Sequence, residues 1–264
     1  MLRNKPVISL DYAVNPQSRY GYGKPPHPQL HSIINAGHHR YLKELSKLLR
    51  HKQSLHNIST PLWHNDFLPA LDAATLYSFT AQLKPNQYFE VGSGTSTRFV
   101  RQAINDQSLP AKITSIDPQP RADIDQLCHH VIRQALEKTN LTIFNQLDKN
   151  DILFIDNSHQ SFQNSDVTVF FLDILPNLKP GVLVGIHDIL LPDDYPPSYA
   201  QNYYSEQYLL ACWLLGGAKN INIVLPNWFC SQDLELSSII KTLFSHPNFQ
   251  SVDTHGSIFW FRKT

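Results

Sequence analysis

From Tyr88 onward, short, largely apolar runs alternate with stretches of helical spacing. The runs are 88–91, 113–116, 131–132, 152–155 and 182–186, and helical patterns fall near 95–106, 121–129, 139–148 and 164–177. Such alternation predicts βα units and a mostly parallel sheet. Parallel strands are covered on both faces, so they read as apolar throughout and not as every second residue. The chain then closes differently. A helix is expected over 204–215, ended by Gly216-Gly217, followed by strands at 221–225 and 257–261 with a short helix at 234–245 between them. The expected fold is therefore α/β, with helices flanking the sheet.

Before residue 66 the pattern is helical or irregular. Residues 1–27 are rich in Pro, Gly and Tyr; apolar positions from Leu30 to Leu49 recur mostly at helical spacing; and 67–83 reads as a helix with Asp66 at its N-cap. This predicts an irregular arm and helical cap over 1–65 and an α/β domain over 66–264. Charge follows the same division: residues 1–64 hold 9 Lys/Arg against 2 Asp/Glu and seven of the 13 histidines, while the remainder is acidic. Two readings stand: a basic arm for an anionic partner, or a basic cap lying over an acidic domain.

With 42% hydrophobic and 17% charged residues, the chain is not a charge-dense disordered one. Its longest apolar runs, 169–175 and 182–186, fall far short of the roughly 20 residues that a spanning helix needs. Cys128, Cys212 and Cys230 form no CxxC pair, which argues against a thiolate zinc site or a disulfide framework. The N-terminal MLRNKPVISLDYAV lacks the apolar core of a signal peptide. A cytoplasmic location is expected.

The chemistry-bearing residues gather at the ends of the predicted strands. The first strand runs into Gly92-Ser93-Gly94-Thr95-Ser96-Thr97, where glycines permit close approach of a ligand to a helix N-terminus. A dinucleotide fingerprint wants glycine at 97, where Thr97 stands, and no Gly-Lys-Ser/Thr of a P-loop is present. Glu90 precedes the loop, Asp117 ends the second strand, Asp156 the fourth and His187-Asp188 the fifth. Ligands bind at the carboxyl ends of strands in open α/β sheets, and an acid after the second strand can accept both hydroxyls of a ribose.

As a set, Tyr88-Phe-Glu-Val-Gly-Ser-Gly-Thr-Ser-Thr97, Ser115-Ile-Asp-Pro118, Asp151-Ile-Leu-Phe-Ile-Asp156 and Leu178-Lys-Pro-Gly-Val-Leu-Val184 resemble the class I S-adenosylmethionine-dependent methyltransferases. The spacing of 27 residues from Glu90 to Asp117 and 39 more to Asp156 fits that family, over roughly 66–263. Phe-Ile-Asp-x-Ser-His and His-Asp-Ile-x-Leu-Pro look most like an uncharacterised bacterial subgroup. The resemblance implies a Rossmann-like, mostly parallel seven-stranded sheet with an antiparallel hairpin at its C-terminal edge. It implies S-adenosylmethionine as cofactor, with Gly92, Ser93, Gly94 and Ser96 around its methionine part, Glu90 orienting the loop and Asp117 on the ribose. Gln134 and Ala135 would flank the adenine, and Asp156 would close the site.

An oxygen acceptor must lose a proton to a base or a metal. His159 or His187 is a candidate base, oriented by Asp156 or Asp188. Catechol-type enzymes place one acid after strand four and an acid–amide pair after strand five; Asp156, His187 and Asp188 hold similar positions with His-Asp in place of that pair. A divalent metal on these residues is the alternative, and histidine suits manganese, iron or zinc better than magnesium. The aromatic segments 20–27, 63–66 and 203–208 are candidates for a lid and acceptor pocket. The run Asp156-Asn-Ser-His159 lacks the Pro-Pro-aromatic of base-amino methyltransferases, so nucleic acid is disfavoured. The expected activity is methyl transfer to a small-molecule hydroxyl, of a sugar or secondary metabolite. The alternatives are a non-catalytic binding or scaffold module, and an NAD-dependent oxidoreductase, which Thr97 disfavours. The oligomeric state stays open.

Overall fold

A computed structural model describes residues 11–120 and 122–264; the N-terminal leader reading and the start of the 121–129 helical pattern lie outside them. The seven strands are β1 Gln87–Val91, β2 Lys112–Ile116, β3 His130–Ile132, β4 Ile152–Ile155, β5 Leu183–Ile186, β6 Ile221–Pro226 and β7 Phe259–Lys263. They form one sheet in the order β3-β2-β1-β4-β5-β7-β6. All neighbours from β3 to β5 are parallel, and β7 runs antiparallel to both β5 and β6. This is the Rossmann-like, mostly parallel seven-stranded sheet with an antiparallel C-terminal edge that the resemblance implies.

The strands are apolar because both faces are covered: β4 and β5 are buried at every residue. On one side, α4 Ala70–Leu83 is buried along nearly its whole length and packs on α5 Thr95–Asp106. The cap comprises α1 Pro28–Asn35, α2 His38–Leu48 and α3 Lys52–His56. Leu30, Ile34, Tyr41, Leu45, Leu48 and Leu55 from these helices belong to the same apolar core as the sheet. α2 lies against α9 Leu234–Leu243, where His38 pairs with Asp233 at 3.2 Å. No helix among the described residues is long and apolar enough to cross a membrane.

Several element boundaries differ from the sequence expectation. α4 begins at Ala70, not at Phe67, and Asp66 does not cap it. Its first free N–H groups are taken by carbonyls distant in sequence: Ala70 N donates to Asp253 O and Leu71 N to His255 O. Asn65, not Asp66, turns the chain before it, its Oδ1 accepting from Phe67 N and Leu68 N. The pattern at 121–129 shows only a 3₁₀ turn at Asp125–Leu127, after two prolines have fixed the chain at 118 and 120. The pattern at 139–148 is likewise a 3₁₀ stretch, Leu141–Gln146, rich in Asn and β-branched residues. β7 starts at Phe259 because Ser257 N and Ile258 N are drawn out of the ladder onto Asp72. The short helix α8 Asn227–Gln232 had no periodicity long enough to read.

Candidate functional site

The sheet order reverses between β1 and β4, and the chain leaves both strands there. The ladder continues one residue past each strand: Gly92 N donates to Ile116 O, Asp156 N to Val91 O and His187 N to Ile155 O. Those bonds fix where the next side chains project. A cavity of about 1100 Å³ opens at these strand ends. Ligand pockets typically span about 300–1,000 Å³, so this one can hold a large cofactor with an acceptor beside it. Its walls include Gly92, Ser93, Gly94, Ser96, Asp117, Asp156, His159, His187 and Asp188.

The first loop is rigid for reasons visible in its side chains. Gly92 has φ +80, and a Cβ there would lie 1.9 Å from the Asp156 carbonyl oxygen. At Gly94 nothing lies within 4 Å of where a Cβ would sit, so the backbone is open to a ligand. Glu90 does not reach the cavity. It is fully buried and accepts hydrogen bonds from Ser96 Oγ and from Thr97 Oγ1, the latter at 2.5 Å. Thr97 Oγ1 also accepts from Gly94 N at 3.1 Å. Thr97 is thus a strut tying the loop to Glu90, in the place where a dinucleotide fold would need bare backbone. Burial pushes the Glu90 carboxyl up to about 8 against the lowering effect of those two hydroxyls.

Asp117 faces the cavity from the end of β2, its carboxylate accepting from Ser93 Oγ at 3.0 Å and Gln119 N at 2.8 Å. Ala135, Leu136 and Glu137 line the cavity nearby, while Gln134 is not among the lining residues.

At the other end, two histidines converge on two acids. Among the described residues, Asp156, His159 and His187 bring candidate metal-ligating atoms within 4.8 Å of one another. His187 Nδ1 lies 3.2 Å from Asp156 Oδ1 and 3.7 Å from Asp188 Oδ1. His159 Nε2 lies 3.4 Å from Asp156 Oδ1 and 3.6 Å from Asp188 Oδ2. His159 and Asp188 both adopt left-handed backbone, with φ of +58 and +53. Such strain in non-glycine residues persists only where the surroundings hold it. Here Asn157 Oδ1 accepts from His159 N, and His159 O accepts from Ser205 N and Glu206 N at the start of α7 Glu206–Leu215.

Two carboxylates that sequence reasoning missed stand behind the histidines. Glu206 on α7 is fully buried and meets His159 Nδ1 at 2.9 Å. Asp72 on α4 is fully buried and faces His187 Nε2 at 3.5 Å. Burial opposes a charge on either imidazole, but the surrounding carboxylates outweigh it. His159 is pushed up to about 10 by hydrogen bonding to Asp156 and Glu206 and by nearby charge, and His187 is raised well above its usual range by Asp188 and Asp156. Burial likewise opposes ionisation of Asp156, yet the two imidazoles hold its carboxyl well below the ordinary range. These carboxylates favour the protonated form of both imidazoles, the reverse of what a free base needs.

These charges tie stability to pH. Folding favours the charged form of His159, so its contribution is fully present below 6.5 and is lost as pH rises through about 10. Folding favours neutral Glu90, so that contribution is present below 4.5 and lost as pH rises through about 8. Both act in one direction. The melting temperature of the ligand-free protein is expected to fall steadily between about pH 6 and about pH 10, and His159→Asn to flatten the upper part. A flat or rising profile for the wild type would contradict the charge assignment.

The aromatic segments divide. Trp63, His64, Asn65, Asp66 and Tyr204 line the cavity. Tyr203 and Tyr208 line a separate groove of about 110 Å³. Tyr20 and Tyr22 line neither: Tyr20 O accepts from Asp194 N and the Tyr22 ring leans on Trp228. The 20–27 segment is thus docked on the loop after β5 and does not cover the cavity. Asp253 and His255, also missed in the sequence, pair with each other on the cavity wall.

Residues 89–189 match a family described as a methyltransferase domain. No curated protein matches the chain. Similar solved structures include an O-methyltransferase from Bacillus cereus in complex with S-adenosylhomocysteine (13% identity, 83% of this chain and 90% of that one, TM-score 0.44). The S-adenosylhomocysteine-bound Podospora anserina methyltransferase PaMTH1 is another (14%, 67% and 81%, 0.42). A third is the O-methyltransferase TomG from Streptomyces achromogenes in complex with S-adenosylmethionine (13%, 90% and 98%, 0.41).

Proposed function

We propose that the chain transfers a methyl group from S-adenosylmethionine to a hydroxyl oxygen of a small-molecule acceptor. One observation carries this reading: a single cavity joins the open Gly92–Gly94 loop and Asp117 to the Asp156, His159, His187 and Asp188 cluster. The residues suit the cofactor. The space at Gly94 admits its methionine part against the backbone, the Asp117 carboxylate is aimed where ribose hydroxyls would donate, and Ala135 and Leu136 offer an apolar edge for a base. When bound, S-adenosylmethionine supplies an electrophilic methyl carbon on a good leaving group.

The protein's share is to orient the acceptor and take its proton. In the protonated form that the surrounding carboxylates favour, an imidazole donates a hydrogen bond to the acceptor oxygen but cannot take its proton. The carboxylate of Asp156 can, yet a group held so firmly ionised is a weak base. A second reading of the same cluster stands on its geometry: donor atoms of Asp156, His159 and His187 lie within 4.8 Å of one another with Asp188 beside both histidines, and together they would hold a divalent cation that lowers the acceptor's own pKa.

S-adenosylhomocysteine is expected to raise the melting temperature, and NAD to leave it unchanged. Asp117→Ala should weaken S-adenosylhomocysteine about 10–100-fold by calorimetry, the loss of charge-assisted hydrogen bonds. Stabilisation by NAD alone would overturn the cofactor assignment.

A further inference from the structure

The two nitrogens of each imidazole in the cluster have different surroundings, and the difference points to a ligand. On the outer side, His159 Nδ1 and Glu206 Oε2 stand 2.9 Å apart, an ordinary charge-assisted hydrogen bond. The other Glu206 oxygen accepts from Asn157 Nδ2, also at 2.9 Å, so the carboxylate cannot turn away. On the inner side, His159 Nε2 and His187 Nδ1 meet Asp156 and Asp188 only at 3.2–3.7 Å. Those separations are long for charge-assisted hydrogen bonds. They approach the spacing of donor atoms about 2.1 Å from one shared ion, which stand about 3.0–3.4 Å apart at octahedral to tetrahedral angles.

His187 also has a buried acid behind it, on the opposite wall and at a longer distance, while its inner Nδ1 meets Asp156 at 3.2 Å. Its outer Nε2 is buried, makes no hydrogen bond and faces Asp72 Oδ2 at 3.5 Å. Asp72 is pinned by Ser257 N at 2.8 Å, Ile258 N at 2.9 Å and Asn227 Nδ2 at 2.7 Å. A buried carboxylate is costly unless it is paired and hydrogen-bonded, and here two that are so held flank one cluster, each behind an imidazole.

We propose that Glu206 and Asp72 are positioning residues that make the cluster a nitrogen-donor site for a divalent transition metal of the zinc or manganese kind, not for magnesium. The proposal rests on the second reading above. When an ion takes the place of the inner proton, Glu206 holds the outer N–H of His159 and Asp72 faces the outer nitrogen of His187, which fixes the tautomers and turns both inner lone pairs to the ion. His159 Nε2, His187 Nδ1, Asp156 and Asp188 are the ligands. A carboxylate behind a ligating histidine is the usual support of such sites. Magnesium prefers oxygen donors throughout, whereas imidazole suits zinc and its neighbours.

The test uses the full chain after exhaustive chelation, titrated separately with Zn²⁺, Mn²⁺ and Mg²⁺ by calorimetry and equilibrium dialysis. One Zn²⁺ per chain is expected, with Mg²⁺ weaker by at least about 10³-fold. Glu206→Gln and Asp72→Asn should each weaken Zn²⁺ about 10–100-fold while S-adenosylhomocysteine affinity stays within about twofold. If Asp72→Asn does not fold, Glu206→Gln decides alone, since its amide keeps the size of the side chain. Mg²⁺ binding as tightly as Zn²⁺, no saturable Zn²⁺ binding, or Zn²⁺ binding unchanged in Glu206→Gln would each overturn the proposal. Zn²⁺ bound as expected by a protein that ignores S-adenosylhomocysteine would instead sink the methyltransferase reading and leave the metal site standing.

Discussion

Gly92→Ala is expected to abolish measurable S-adenosylhomocysteine binding and to destabilise the fold by about 2–5 kcal/mol, the combined cost of a left-handed alanine and a backbone collision. The added methyl would lie 1.9 Å from the Asp156 carbonyl oxygen, a backbone atom held by the strand that carries it. No rotamer relieves such a contact; β1 and β4 must part or the loop must move. Asp156 N donates to Val91 O at 2.8 Å and Gly92 N to Ile116 O of β2 at 3.0 Å, so parting β1 from β4 breaks the first bond and moving the loop breaks the second, where the cavity begins. The same shift displaces Ser93 from Asp117 and Asp156 from the histidines, damaging both ends of the site with one carbon atom. Gly94→Ala provides the contrast. Nothing in the protein lies near its Cβ, so it should fold normally and lose affinity only through the space that a ligand needs. Calorimetry and thermal melts of both variants check this; Gly92→Ala binding within twofold of wild type would show that the loop is not the cofactor's seat.

The strand positions were legible because their cause is local: β1, β2, β4 and β5 are buried along nearly their whole length, and their sequences are largely apolar. The residues just past each strand could be read for the same reason, since the end of a strand fixes where the next side chain must project. Boundaries set by distant partners could not. The start of α4 depends on the carbonyls of Asp253 and His255, and the delayed start of β7 depends on Asp72. No window of sequence contains both partners of either contact.

The outer half of the cluster was hidden in a different way. Glu206 opens α7, where an acid ordinarily complements the helix dipole and faces water. Nothing nearby announces that it is buried against His159. Asp72 did leave a trace: it is the lone charged residue of the otherwise uncharged stretch from Ala70 to Leu83. A single acid in so uncharged a helix demands a buried partner, and the histidine at the end of the fifth strand was available. In the sequence His187-Asp188 reads as two functional groups side by side; in the fold His187 also reaches back to α4, and Ser257 Oγ meets Asp188 at 3.3 Å.

Asp156→Asn should lower methyl-transfer turnover about 10²–10⁴-fold, the range of lost proton-transfer or charge catalysis, while S-adenosylhomocysteine affinity changes by no more than about threefold. The amide keeps the shape of the carboxylate and its backbone bond to Val91, so the loop and cavity persist. What it removes is the charge that both imidazoles share at their inner nitrogens, 3.2 Å from His187 and 3.4 Å from His159. With that charge gone, burial acts with less opposition, and the pKa values of both histidines must fall. Histidine ring resonances followed by NMR across the pH range report this without any acceptor present. Asp188→Asn, which removes the charge lying 3.6 Å from His159 and 3.7 Å from His187, should move the same resonances in the same direction. Unmoved histidine titrations in Asp156→Asn would mean that the cluster is not electrostatically coupled. Turnover within tenfold of wild type would remove Asp156 from the chemistry even if the coupling were real.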